Sequence, residues 1–333
     1  MDGMSTGPGF EIQHEPDHLS LVPSLLQSQI GLPPLGSRRP RQVTLRNAIH
    51  CSGVGLHGGR AVTLALHPAP ENTGIMFRRS DLGIEVGASF DSVIDTRLCT
   101  VLAPAARPDA RIATVEHVMA AISACGIDNV LVTLDGPEVP VLDGSSAPFL
   151  FLIDCAGRIE QSAPRMVLEV LKAVRVEENG AFAELRPSHA PGLSLSLSIE
   201  FKAAAIGRQA YTMRLSEAGF RSEIADCRTF TLREEIEAMR ASGLAQGGTL
   251  DNAVVVDGAH VLNPAGLRRP DEFVRHKMLD AIGDLALAGH PLRGAFIGHR
   301  SGHGLNNRLL RTLLADPTAW RLSGRPSLDL AAA

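Results

Sequence analysis

Leu193-Ser194-Leu195-Ser196-Leu197-Ser198-Ile199-Glu200-Phe201 alternates apolar and polar residues with a period of two, which predicts a strand with one buried face. Apolar stretches at Val43–Ile49, Ala61–Leu66, Asn129–Leu134, Val167–Val176 and Ala181–Leu185 predict further strands. Helical patterning and end signals mark Thr114 as N-cap of a helix through Cys125 with Gly126 as its stop, then Ala147–Cys155, Arg233–Ser242, Asp271–Ala288 and Asn306–Ala315. Strands followed by helices occur twice along the chain. That order predicts an α+β protein of two similar layered domains joined near residue 165.

Two motifs mimic sites that their surroundings disfavour. Residues 1–40 hold six prolines and five glycines and predict a flexible extension. Within it, His14-Glu15-Pro16-Asp17-His18 has the zinc-protease spacing, but Pro16 interrupts the helix that would put both histidines on one face. Gly53-Val54-Gly55-Leu56-His57-Gly58 has the dinucleotide-loop spacing, yet a predicted strand follows it where a helix is required. It reads as a glycine-rich connection between strands.

Composition narrows the class. The 333 residues are 44% hydrophobic and 20% charged, and 32 Lys plus Arg against 36 Asp plus Glu give a net charge of −4. A chain with this balance has no reason to coat nucleic acid or to anchor electrostatically to a membrane. The five cysteines are scattered without a Cys-x-x-Cys pair, as in a reducing cytoplasm, and no apolar run is long enough to span a bilayer. A cytoplasmic monomer is the expectation.

The segment Asp271–Ala288 carries the most chemistry. At about 100° per residue from His276, Asp280 falls at about 40°, Asp284 at about 80° and Lys277 at about 100°, opposite the apolar sector. His276 and Asp280, one turn apart, can share one metal ion, although such a stripe also suits a solvated face. In Thr114-Val115-Glu116-His117, capping accounts for the threonine and the glutamate but not for the histidine, since a helix N-terminus opposes a cation. A neutral, metal-bound His117 with Glu116 beside it as a base is the chemical reading. Ser301-Gly302-His303-Gly304 places a third histidine between glycines, where the backbone allows close approach to a ligand; an exposed loop histidine is the plain alternative.

Together, Thr114–His117, His276-Lys277-Met278-Leu279-Asp280 and Ser301-Gly302-His303 resemble the zinc-dependent UDP-3-O-acyl-N-acetylglucosamine deacetylase family of lipid A synthesis. Further matches are Gly53–His57, Gly126-Ile127-Asp128-Asn129, Leu142–Phe149, Arg228-Thr229-Phe230 and Gly247-Gly248-Thr249-Leu250-Asp251, in the family's order over about residues 41–322.

The resemblance implies two layered β-sheet/α-helix domains, each a two-layer sandwich like ribosomal S5 domain 2, at 41–165 and 166–322. The active site would lie between them, with a small insert near 78–98, a βαβ insert near 229–261 and a tail at 323–333. It implies one zinc ion on His117, His276 and Asp280. Glu116 would be the base and His303 the protonated partner held by Asp284, while Thr229 would donate to the tetrahedral intermediate. For the acylated UDP-sugar it implies contacts from Phe230, Lys277, Arg300 and Phe201, with Ile236, Gly248 and Thr249 along an apolar acyl passage. Phe201 also fits the core, being on the leucine face of its strand. The rivals are a zinc deacetylase of another N-acetyl sugar and an RNA-binding protein of the same fold, the latter lacking a basic face.

Overall fold

Burial explains the alternating segment: in the strand Leu193–Glu200 the leucines and Ile199 are buried and the serines half-buried. In the computed structural model, which describes residues 40–324, this strand runs parallel to Leu292–His299 and antiparallel to Arg208–Arg214. Leu292–His299 is the hub of a seven-stranded sheet. It also pairs antiparallel with Ala181–Arg186 and parallel with Val167–Val170, and Val174–Glu178 and Trp320–Ser323 complete the sheet. A five-stranded sheet has the order Ile49–Val54, Ala61–Pro68, Val130–Leu134, Ile75–Arg79, Ile84–Gly87. The glycine-rich stretch from Gly55 turns the chain between its first two, antiparallel strands.

Six α-helices occur among the described residues: α1 Glu116–Ala124, α2 Ala147–Ala156, α3 Glu217–Glu223, α4 Arg233–Ala241, α5 Glu272–Ala286 and α6 His303–Ala315. Helices α5 and α6 pack on the seven-stranded sheet, and α1 packs against both α2 and α5. The result is a mixed α+β protein with one apolar cluster extending from Leu45 to Ala319. None of these helices is long and apolar enough to cross a membrane. Parallel strands Phe230–Leu232 and Val254–Asp257, joined through α4, form a βαβ unit beside His260–Val261. Near 78–98 the chain first adds Ile84–Gly87 to the edge of the five-stranded sheet, then pairs Val93–Asp95 with Val101–Leu102.

Local boundaries differ from the sequence expectations for identifiable reasons. Thr114 is not the N-cap of α1: it has φ 59°, its hydroxyl donates to Glu138 Oε1 at 3.1 Å, and Val115 occupies the cap position. Val167–Val176 breaks after Val170, where the Leu171 and Lys172 amides turn to the Ala319 carbonyl. Val43–Ile49 likewise breaks, the Arg46 and Asn47 amides bonding to Gly157 and Ala156. Asp271 sits at the N-cap of α5 but makes no cap bond, because its carboxylate pairs with Arg275 at 2.7 Å. His303 is not in a loop: α6 begins at His303, with extended Gly302 before it. The first 39 residues, including the zinc-protease-like motif, and the chain beyond Gly324 lie outside the described residues, while Ser323 closes the final strand.

Gly283 sets how closely α1 and α5 approach. A Cβ there would lie 2.0 Å from the Glu116 carbonyl oxygen and 2.8 Å from its carbon. The polar stripe of α5 is therefore covered by α1 rather than by water, leaving His276, Asp280 and Asp284 only 2%, 4% and 3% exposed. On an open helix Gly→Ala would gain about 1 kcal/mol of helix propensity. Here the clash dominates at about 1–3 kcal/mol, so Gly283→Ala should lower the urea unfolding midpoint. An equal or higher midpoint would refute this contact.

Candidate active site

Helix α5 presents His276 and Asp280 one turn apart, and the first turn of α1 brings His117 against them. The three ligand atoms lie within 4.8 Å of one another. Asp280 Oδ1 is 3.3 Å from His276 Nε2 and 3.7 Å from His117 Nε2, and the two imidazoles meet edge to face. His276 Nδ1 faces the Cys227 carbonyl oxygen at 3.1 Å. A carbonyl only accepts, so Nδ1 carries the proton. Burial lowers the His276 pKa to about 4, so near neutral pH the ring is uncharged and Nε2 keeps its lone pair. Asp280 Oδ2 accepts from Lys277 Nζ at 2.9 Å, whereas Oδ1 is buried without a hydrogen-bond partner.

Asp280 Oδ1 and the His276 Nε2 lone pair are two acceptors facing one another at 3.3 Å, which repel unless a cation lies between them. A tetrahedron with bonds of ~2.0–2.1 Å has edges of roughly 3.3–3.4 Å, close to the observed 3.3 and 3.7 Å separations. Two imidazoles and one carboxylate thus fit a divalent metal with a fourth position left open. The Cys227 carbonyl supplies the outer contact that orients a histidine ligand.

Beside this trio stands a second buried set. His303, at the first position of α6, has Nδ1 2.9 Å from Asp284 Oδ2, and Asn306 Nδ2 donates to the same oxygen at 2.9 Å. Its Nε2 is 3.9 Å from Glu116 Oε1. Burial opposes charge on His303, but the Asp284 and Glu116 carboxylates outweigh it and raise its pKa to about 9. Burial raises the Glu116 pKa, a direction that makes a carboxylate a better proton acceptor. Glu116 Oε2 accepts from the Thr100 amide at 3.0 Å, leaving Oε1 toward His303.

Two cavities meet here. One of about 360 Å³ is lined by Glu116, His117, His276, Lys277, Asp280 and His303 among others. The other, of about 490 Å³, is lined along the βαβ unit by Ile236, Gly248, Thr249, Leu250, Ala253 and Val255. Thr229, Phe230, Leu56, His57 and Leu98 line both and mark the junction. Phe230 is fixed edge-on between Phe273 and Phe201, with ring centroids at 5.0 and 5.5 Å. Phe201 thus backs Phe230 and lines neither cavity, and exposed Arg300 lines neither.

The geometry adds residues that sequence reasoning missed. Both ring nitrogens of His57 are buried without a partner at the junction; its setting among glycines, like that of His303, was the available signal. Asn306 had only its place after Ser301–Gly304, and Gly283 and Thr100 had none.

Residues 42–315 match the family model described as UDP-3-O-acyl N-acetylglycosamine deacetylase (LpxC). Several relatives bear the name UDP-3-O-acyl-N-acetylglucosamine deacetylase. One from Neisseria meningitidis serogroup C / serotype 2a is 48% identical over 285 residues, covering 84% of this chain and 92% of the relative. Another, from Phenylobacterium zucineum, is 48% identical over 284 residues, covering 84% and 96%. A third, from Acidithiobacillus ferrooxidans, is 48% identical over 282 residues, covering 84% and 92%.

The donor set predicts about one tightly held divalent ion per chain. Asp280→Ala and His276→Ala should each weaken metal binding by at least ~10-fold, measured by chelator competition. Wild-type affinity in either variant would exclude that residue as a ligand.

Proposed function

The chain belongs to the UDP-3-O-acyl-N-acetylglucosamine deacetylase family, hydrolases of lipid A biosynthesis, and from that premise we propose how its own residues remove the acetyl group. The metal is zinc on His117, His276 and Asp280, and the substrate is UDP-3-O-(3-hydroxyacyl)-N-acetylglucosamine. The observation that carries this reading is the buried trio of His117, His276 and Asp280 next to a facing carboxylate and cationic imidazole, Glu116 and His303. Zinc supplies Lewis acidity, which brings the pKa of a water toward neutrality and polarises an amide carbonyl.

Glu116 takes the proton from the attacking water at Oε1, the oxygen that Thr100 leaves free. His303, held cationic by Asp284, stabilises the developing oxyanion and gives its Nε2 proton to the departing amine. Thr229, at the cavity junction, donates to the tetrahedral intermediate. Phe230 lies against the sugar, and Lys277, whose ammonium stays beside Asp280, attracts the diphosphate. Ile236, Gly248 and Thr249 line the passage for the acyl chain. Phe201 supports the sugar site through Phe230, and Arg300, outside the two cavities, joins Lys277 in attracting the diphosphate. We read residues 41–165 and 166–322 as two similar layered domains of a cytoplasmic monomer, with the site where α1 of one meets α5 of the other.

Acetate release from the acylated UDP-sugar, compared with the same sugar lacking its acyl chain, tests the substrate; equal rates would favour a deacetylase of another amino sugar. Glu116→Ala should keep its metal and lose about 10²–10⁴-fold in kcat, and a near-normal rate would remove Glu116 as the base. Because Glu116 must be ionised and His303 protonated, the rate should fall as acid protonates the former and as alkali deprotonates the latter. Asp284→Asn removes a charge that raises the His303 pKa, so the alkaline limb of kcat/KM should move to lower pH. An unmoved limb would separate that titration from His303.

A further inference from the structure

Thr100 belongs to none of the motifs above and lines neither cavity. Yet, among the hydrogen bonds of the described residues, it alone reaches both carboxylates that flank His303. Its amide N–H donates to Glu116 Oε2 at 3.0 Å, and its hydroxyl donates to Asp284 Oδ1 at 2.6 Å. The residue is 1% exposed, and its carbonyl accepts from the Val115 amide, which ties it to the start of α1. Glu116 stands on α1, Asp284 on α5 and His303 on α6. Thr100 therefore closes a ring across three helices: Thr100 to Glu116, Glu116 facing His303 at 3.9 Å, His303 to Asp284 at 2.9 Å, and Asp284 back to Thr100.

We propose that Thr100 is a positioning residue for deacetylation, fixing the Asp284 carboxylate so that His303 and Glu116 hold their separation. This rests on the reading that Glu116 and His303 carry the two proton transfers. The hydroxyl proton has one acceptor within reach, and Asp284 Oδ2 is already engaged by His303 and Asn306. Loss of the hydroxyl leaves Oδ1 without its donor and frees the carboxylate to rotate, carrying the His303 ring with it. Substrate contacts are untouched, since Thr100 lies behind the cavity wall. The expected signature is a fall in kcat at constant KM.

Thr100→Val keeps the shape and the amide but removes the hydroxyl, whereas Thr100→Ser keeps the hydroxyl and removes a methyl group. If Thr100 merely fills space, valine is tolerated and serine is the worse variant; positioning through the hydroxyl reverses that order. Metal-loaded Thr100→Val should lose about 10- to 100-fold in kcat with KM within about twofold. Thr100→Ser should recover most of the rate. The downfield Nδ1 proton of His303 in the NMR spectrum should shift or broaden in the valine variant and return in the serine variant. Should the valine variant fail to fold, Thr100→Cys, similar in volume and a poor donor, takes its place. Wild-type kcat in the valine or cysteine variant, or a serine variant equally impaired, overturns the inference. Glu116→Ala and His303→Ala run alongside: if they lose activity while Thr100→Val does not, only the role of Thr100 falls, and if they keep it, the underlying reading falls first.

Discussion

The close approach of α1 to α5 at Gly283 is the contact on which the site depends. With the Glu116 carbonyl oxygen 2.0 Å from where a Cβ would stand, the first turn of one helix is seated directly on the other. That seating puts His117 opposite Asp280 and Glu116 beside the His303 ring that Asp284 holds. A larger residue at 283 would push apart the residues whose close spacing defines the candidate site. The glycine weakens α5 as an isolated helix and makes the helix pair possible.

Such an approach removes six ionisable side chains from water: Glu116, His117, His276, Asp280, Asp284 and His303 are all under 8% exposed. Buried charge is costly unless it is paired and hydrogen-bonded. Lys277 meets one oxygen of Asp280, Thr100 and Asn306 meet Asp284, and the Cys227 carbonyl fixes His276. What stays uncompensated is the space between Asp280 Oδ1 and the two Nε2 atoms, and a cation there would join binding to stability.

Much of this was legible in the sequence, and the rest was hidden for physical reasons. Periodicity located the strand at 193–200 and helix α5, and it placed His276, Asp280 and Asp284 on one stripe. It could not say what covers that stripe, because periodicity names a face and not its partner. The N-cap expected at Thr114 failed because a distant carboxylate, Glu138, takes its hydroxyl. His303 opens a helix where glycine flanks suggested a loop, since extended Gly302 precedes that helix rather than breaking it. Thr100 escaped notice because both its partners are set by tertiary contacts, one of them 184 residues away.

Asp280 and Asp284 lie one turn apart on the same helix, are similarly buried, and differ in what completes them. Asp284 receives three donors, from Thr100, His303 and Asn306, which fill both its oxygens. Asp280 receives one, from Lys277, and keeps Oδ1 bare toward two imidazoles. A satisfied carboxylate has its charge committed to orienting a neighbour, whereas an orphaned oxygen in a buried site needs a cation to offset its desolvation. The two aspartates thus differ through hydrogen-bond satisfaction rather than residue type. The α1 contact makes that division possible by keeping water away from both.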